Sequence, residues 1–317
     1  NATFFMNRGH DLSYTWNFNQ VDPRVVYQYK GATSVTVQNP FYNYLTPAQF
    51  PGPLRNQKTV PITQLLVQRP QYGNLYESFK PGVNEQYYSL DLRVQRPFSH
   101  GFNFLFGYSY IREKCQCTTS SVNAQAIAPY YANAIDNYMN HLDLLDSANP
   151  HHRITTAGTY ELPFGPGQAF LKSSPAVVNA ILGGWQAVGS FTFNTGSYLQ
   201  FGPAAVSGDP TISNPTPARW FDTSKFQILS PYVMQTNPDH YRDLRGPAFW
   251  NIDATLSKRF RIVERVQAEL RAEAYNLTNR LNRANPDLVI TSSTFGQALR
   301  QTITTGRQVE LGMKIIF

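Results

Sequence analysis

Apolar and polar residues alternate along several segments of the chain, and this period of two is the feature that most restricts its fold. Within 250–257 the even positions are apolar and the odd positions are polar, and the pattern resumes over 266–275 after a tight turn near 261–264. Alternation puts the two residue classes on opposite faces of a β-strand. On a helix the same apolar residues would be spread around the axis instead of forming a stripe. We therefore predict strands.

Further alternating segments recur along the chain and are about as long as transmembrane strands require. They lie near 88–95, 102–111, 153–162, 185–194 and 308–317. A single half-buried strand of a soluble sandwich would look similar, but the length of these runs and the charges on their polar sides favour a wall between lipid and water. The sequence holds no run of about 18 apolar residues that would form a transmembrane helix. The predicted fold is all-β, with about eight antiparallel transmembrane β-barrel strands, one of them near 2–6, forming part of a larger barrel.

Short and long links alternate between these segments, as the periplasmic turns and extracellular loops of outer-membrane barrels do. The short links are 96–102 and 260–265, and the long ones are 113–150, 196–246 and 279–306. The link 163–180 is intermediate, with a short helix predicted around 174–180. We predict one barrel portion over 1–317, in which 1–83 is mostly a long extracellular segment and 84–317 holds strands and loops.

Composition argues against most soluble functions. Of the 317 residues only 15% are charged, whereas about 25% is typical of globular proteins. The net charge is +7, but Lys and Arg are spread singly, so we expect no nucleic-acid binding. Cys115 and Cys117 form a C-x-C pair without the four ligands of a closed zinc site. We interpret them as loop thiols or a local disulfide.

Charged side chains on the polar sides of the strands are the candidate lumen-lining residues. They are Asp91, Arg93, Asp253, Glu269, Arg271, Glu273, Glu310 and Lys314. A paired-carboxylate hydrolase site is the catalytic alternative, but opposite charges on adjacent strands pair across the sheet more readily. The sequence has no nucleophile elbow, P-loop or dinucleotide fingerprint. We expect no enzyme, no cofactor and no metal.

Aromatic residues in the long link 196–246 are the candidate ligand contacts: Trp220, Phe221, Tyr232 and Tyr241. Aromatics near strand ends are explained more simply as the interfacial girdle of a barrel. The ligand itself is unidentified, and a small molecule, a glycan and a peptide all remain open.

Several stretches together resemble the Oar-like subgroup of TonB-dependent outer-membrane transporters. They include NEQYYSLDLRVQRPFSHGFNFLFGYSY, NPHHRITTAGTYELPFGPG, VVNAILGGWQAVGSFTFNTG, LRGPAFWNIDATLSKRFRIVERVQAELRAEAYNLTNRLN and the terminal VELGMKIIF. Their order and spacing match over roughly 84–317. The terminal Phe317, preceded by alternating apolar residues, resembles the signal read by the barrel-assembly machinery.

The resemblance implies import of a ligand through a large barrel in the cell outer membrane, in contact with lipid and lipopolysaccharide. In that family a plug fills the barrel, and a TonB box connects it to the TonB complex. Neither plug nor TonB box is found in this sequence, so we expect the chain to be a carboxy-terminal part of such a barrel. Two alternatives remain: a passive, structural or adhesive outer-membrane barrel, and a secreted β-rich carbohydrate-binding domain.

Overall fold

The computed structural model describes residues 1–19, 21–50, 52–115, 143–145, 150–202, 204–230, 236–237, 240–263, 266–302 and 306–316. Strands dominate it. They are β1 (Ala2–Asn17), β2 (Thr36–Gln38), β3 (Thr59–Pro61), β4 (Tyr76–Ser99), β5 (Phe102–Cys115), β6 (Asp143–Leu145), β7 (His152–Glu161), β8 (Trp185–Asn194), β9 (Tyr198–Gln200), β10 (Ala205–Val206), β11 (Phe226–Gln227), β12 (His240–Arg245), β13 (Phe249–Val263), β14 (Val266–Tyr275) and β15 (Gln308–Ile316). The α-helices are α1 (Pro23–Tyr29), α2 (Ile62–Leu65) and α3 (Ala176–Leu182). No helix in these ranges is long and apolar enough to cross a membrane.

Eight strands form one antiparallel sheet in the order β1-β4-β5-β7-β8-β13-β14-β15, and the short β6 adds to β5. Neighbours in the sheet follow one another along the chain, apart from small elements in the long links. Such a meander is the arrangement of outer-membrane barrels, so the predicted fold class is confirmed. Among the described residues β1 and β15 are the two edge strands of the sheet.

The pairing register gives the sheet one polar and one apolar face. Residues directly opposite one another project to the same side, and Thr255 lies opposite Glu273 while Leu256 lies opposite Ala272. Within the described ranges no second layer covers the apolar side chains: Leu311 is 83% exposed and Leu270 39%. A soluble sandwich would bury them, because large exposed apolar patches are costly in water.

The short links gather at one end of the sheet, which we call the short-link end. β5 begins at Phe102, as the sequence predicts, whereas β4 continues to Ser99, past the expected end at Gln95. The strand β13 continues to Val263, into the range expected for the turn at 261–264, and residues 264–265 lie outside the described residues. The expected helix near 174–180 is α3, displaced by two residues.

The prediction for 1–83 understated its regular structure. β1 continues to Asn17 and pairs with β4 back to Tyr76, so only 18–75 forms an insert between the two strands. Alternation could not show this, because the pairing of β1 with β4 contains three register shifts. They lie between Gly9 and Leu12, between Leu12 and Ser13, and between Tyr14 and Trp16. Each shift breaks the period of two that the sequence interpretation followed. The insert carries the hairpin β2–β3 and a small core of its own.

At the opposite, long-link end, two of the long links fold together into what we call the loop domain (the described parts of 196–246 and 276–307). Its two-stranded sheets pair β9 with β12 and β10 with β11. Leu199, Phe201, Ala204, Phe221, Phe226 and Leu244 form its buried core.

Candidate functional site

All eight predicted lumen-lining residues lie on the polar face. Register connects their positions across the sheet: Asp91 lies opposite Ser109, which lies opposite Arg153, which in turn lies opposite Asn194. Near the β15 edge of the sheet, Glu269 lies opposite both Arg259 and Lys314. One surface therefore carries the polar positions of successive strands, although that surface's role as a lumen lining stays a prediction.

Charges alternate along β14 and form a ladder of ion pairs on this face. The Arg259 Nε donates to Glu269 Oε2 at 2.7 Å, and an Arg271 guanidinium nitrogen lies 2.7 Å from Glu273 Oε1. Arg271 also lies 3.7 Å from Glu269 through its Nε. Because each carboxylate is within contact distance of an arginine, the ladder holds its charges in fixed positions.

The last strand extends this charged surface. Lys314 lies opposite Glu269, Gly312 opposite Arg271, and Glu310 opposite Glu273. A Cβ added at Gly312 would meet no atom within 4 Å, so the space beside the Arg271 backbone is open. The hydroxyl of Tyr275 donates to Glu273 Oε2 at 2.8 Å, which helps to hold that carboxylate beside the like charge of Glu310.

The remaining predicted residues have different surroundings. Asp91 Oδ1 accepts a hydrogen bond from the Ser109 hydroxyl at 2.6 Å, and Arg93 donates to Gln95 Oε1 at 3.2 Å. Asp253 Oδ1 accepts from the Asn276 backbone N–H at 2.8 Å. This bond ties the beginning of the β14–β15 link to β13, so Asp253 has a positioning contact that the sequence did not reveal.

Two open clefts lie on the polar face near the short-link end. One has a volume of about 340 Å³ and is lined by residues that include Arg93, Asn103 and Thr159. The other, about 310 Å³, is lined by Glu161, Ser257 and Arg259 among others. The alternation seen in the sequence ends at Ser257 and does not single out Arg259. Arg96 lies opposite Phe104, and its guanidinium lies over the Phe102 ring, so its side chain projects from the apolar face. Arg93 contributes a positive charge to the first cleft, whereas the second holds both Glu161 and an Arg259 that is already paired with Glu269.

The aromatic loop candidates lie in the loop domain, at different depths. Phe221 is 0% exposed and contacts the rings of Phe201, Phe226 and Phe295 at centroid distances of 5.2, 5.5 and 5.3 Å. Direct contact of Phe221 with a ligand would require this core to open. Trp220 is half-buried, and its indole N–H donates to the Arg245 carbonyl at 2.7 Å.

The other two candidates lead to different observations. Tyr241 packs against the core, and among the described residues its buried hydroxyl has no hydrogen-bond partner. Burial, with a smaller contribution from Asp209, raises the pKa of Tyr241 to about 12. The described residues do not include Tyr232, Cys117 or Phe317. Of Cys115 only the backbone, at the end of β5, is described.

Asp287 organises the turn that brings Phe295 into the core. Its carboxylate accepts hydrogen bonds from the Thr294 hydroxyl at 2.7 Å and from the Val289 backbone N–H at 3.0 Å. Hydrogen bonds from Ser292, Thr294 and Val289 lower the pKa of Asp287 to about 2. The turn is therefore built around a carboxylate that stays ionised at neutral pH.

The arrangement supplies a charged surface rather than an obvious reactive centre. In the part of the chain that the structure describes, no three metal-ligating side chains come together. The carboxylates of the ladder are paired with arginines, so a general acid with a free proton is not evident there. The expectations of no enzyme and no cofactor stay predictions.

Comparison with known proteins identifies a family for this chain. A family model described as an outer membrane beta barrel domain matches residues 2–310. No curated protein matches the chain. The matched range includes strands β1 to β14 and the first residues of β15, so the match and the sheet describe the same unit.

Proposed function

Because this chain belongs to the outer membrane beta barrel domain family, we propose that it forms part of the wall of a TonB-dependent transporter. In that proposal the long-link end faces outwards and captures a ligand, which then passes along the polar face of the barrel. The outer-membrane location follows from the family. The TonB dependence and the import of a ligand are our proposals, drawn from the resemblance over roughly 84–317.

The two-faced sheet is the observation that carries the proposal. Leu270 and Leu311 project from the apolar face with substantial exposure, whereas Glu269 and Arg271 project from the other face into an ion-pair ladder. Hydrocarbon suits the first surface, and water suits the second. A wall of this kind supports passage of a polar solute on its charged side.

The open edges of the sheet support a barrel larger than eight strands. Backbone groups at an edge must be paired inside a membrane, because lipid offers them no hydrogen bonds. Among the described residues β1 and β15 form ends and are not paired with each other. Further strands that connect these two edges would satisfy both, as the proposed transporter requires.

The folded loop domain supports a capture role at the long-link end. The Trp220 backbone N–H donates to the Gly296 carbonyl and the Ala298 N–H to the Pro217 carbonyl, each at 2.8 Å. These bonds join the β8–β13 and β14–β15 links into one body. A preorganised surface binds at a lower entropic cost than separate flexible loops. Trp220 and Tyr241, both half-buried against its core, remain the candidate ligand contacts.

The test is made on the full gene product in planar bilayers. A plugged transporter should be almost silent, and the purified periplasmic domain of TonB should bind it. Steady ionic conductance together with no TonB binding would overturn the proposal in favour of a passive pore. A silent barrel that also fails to bind TonB would overturn it in favour of a structural or adhesive role.

A further inference from the structure

The helix α3 exposes its apolar side chains, whereas a helix that packs against the core of a water-soluble protein buries them. Val177, Ile181 and Leu182 are 70%, 61% and 48% exposed. The single polar residue in the helix, Asn179, is half-buried and donates through Nδ2 to the Ser174 carbonyl at 2.7 Å. A surface helix in water normally turns its polar side outwards. The exposed side of α3 is therefore made for an apolar environment.

A buried lysine attaches α3 to the sheet. Lys258, only 6% exposed, donates through Nζ to the carbonyls of Ala180 at 2.5 Å and Ile181 at 2.8 Å. The Trp185 indole N–H donates to the same Ile181 carbonyl at 2.9 Å. Carbonyls in the last turn of a helix lack partners within the helix and carry partial negative charge. The ammonium group therefore caps the helix and holds its carboxyl end in place.

The register shows on which face of the sheet this attachment lies. Lys258 is directly opposite Trp185 on β8 and Leu270 on β14. Opposite residues share a face, so Lys258 projects from the apolar face. An unpaired ammonium group in hydrocarbon is strongly unfavourable. Its position is explained if α3 covers it at the membrane boundary.

The apolar face continues around α3 at the short-link end. Ile262 and Val263, at the end of β13, are 53% and 58% exposed. Phe170, in the same link as α3, is 59% exposed and packs against Phe164 at a centroid distance of 5.9 Å. Trp185 stands where aromatic side chains of barrels meet the edge of the bilayer. These residues add exposed apolar side chains at the end of the sheet where α3 is attached.

We propose that α3 lies in the membrane interface, with Val177, Ile181 and Leu182 inserted among the acyl chains of the phospholipid leaflet at the short-link end. Helices of this kind bury their apolar side by about 5–10 Å at the headgroup boundary. The continuity of α3 with the lipid-facing side of the barrel selects lipid as the occupant. The inference uses family membership only and is independent of TonB or of any transported ligand.

The experiment places a fluorescent label on the exposed side of α3. Cys115→Ser and Cys117→Ser remove the native thiols of the full chain, and Ile181→Cys introduces one for an NBD label. The matched control is Gln168→Cys, in the same link but lining the polar-face cleft. Both proteins are reconstituted in phosphatidylethanolamine–phosphatidylglycerol vesicles with and without bromines on the acyl chains. Heat-modifiable gel migration verifies that each barrel is folded.

We expect brominated lipid to quench the label at 181 and to leave the label at 168 close to its unquenched intensity. If Ile181→Cys prevents folding, Val177→Cys replaces it, since residues four apart share a helix face. Equal weak quenching at both positions would overturn the proposal. So would a label at 181 that is shielded from aqueous quenchers in native outer membranes but exposed to them in lipid vesicles, which would indicate a protein partner. Neither outcome depends on TonB binding or conductance.

Discussion

Replacing Phe221 with alanine should open the loop domain while leaving the barrel intact. The ring is fully buried and touches three other phenylalanine rings, one of them Phe295 in the other link. Truncation of a buried Phe costs about 3–5 kcal/mol. The loss should be near the upper value here, because the edge-to-face contacts with Phe201 and Phe295 are lost as well.

Amide hydrogen exchange measures this change directly. Local opening controls exchange in native proteins, and about 5 kcal/mol corresponds to an increase in exchange rate on the order of 10³–10⁴. We expect that increase at the amides of Trp220 and Ala298, whose hydrogen bonds join the two links. Amides in the ladder between β13 and β14 should keep their protection.

The matched control is Ile228→Ala, two residues after the buried Phe226. Ile228 is 66% exposed, so its truncation should change exchange very little. The reasoning is refuted if the Phe221→Ala protein, with normal heat-modifiable migration, exchanges at Trp220 and Ala298 as slowly as the wild type. The aromatic core would then not be what holds the links together.

Three further outcomes are expected. Tyr241→Phe should stabilise the loop domain by up to about 1 kcal/mol, because it removes a buried hydroxyl that has no partner among the described residues. The pKa of Tyr241 is raised to about 12, so the wild-type loop domain should lose stability as pH rises from 10 through about 12. This loss, followed by near-ultraviolet circular dichroism, should be smaller in the Tyr241→Phe protein. The pKa of Asp287 is lowered from 3.8 to about 2, so its ionised carboxylate stabilises the turn at pH values above 3.8. This stability should be lost as pH falls towards about 2. An Asp287→Asn protein should lack that acid transition in the near-ultraviolet circular dichroism. Leu256→Arg on the apolar face should destabilise the barrel by roughly 2–4 kcal/mol in urea unfolding, whereas Thr255→Arg, opposite Glu273, should cost much less; equal costs would contradict the assignment of the two faces.

The strands were predictable because a membrane imposes the same two-sided environment on every residue that crosses it. In β13 and β14 successive side chains face lipid and water in turn, so apolar and polar residues must alternate in the sequence. The prediction stopped at Ser257, although β13 continues to Val263. Lys258 interrupts the apolar set, and only the contact with α3 explains a lysine at that position.

The loop core was not predictable from sequence. Phe221 and Phe295 lie 74 positions apart, and neither is part of a periodic segment. An aromatic residue in an irregular link has the same local signature whether it packs in a core or stands at a binding surface. The sequence pattern therefore does not separate Trp220 from Phe221, although the structure buries Phe221 completely and leaves Trp220 half-exposed. Their separation depends on long-range packing.

The unequal lengths of the strands have a mechanical consequence. The 24 residues of β4 span about 80 Å when extended, well over twice the roughly 30 Å of hydrocarbon. Pairing of β4 with β5 stops at Glu85, whereas pairing with β1 continues to Tyr76. A ribbon of only two strands, interrupted by bulges, bends far more easily than a wide sheet. We expect the insert 18–75, at the tip of this ribbon, to tilt as a rigid unit relative to the barrel. It should therefore contact external molecules before the mouth of the barrel does.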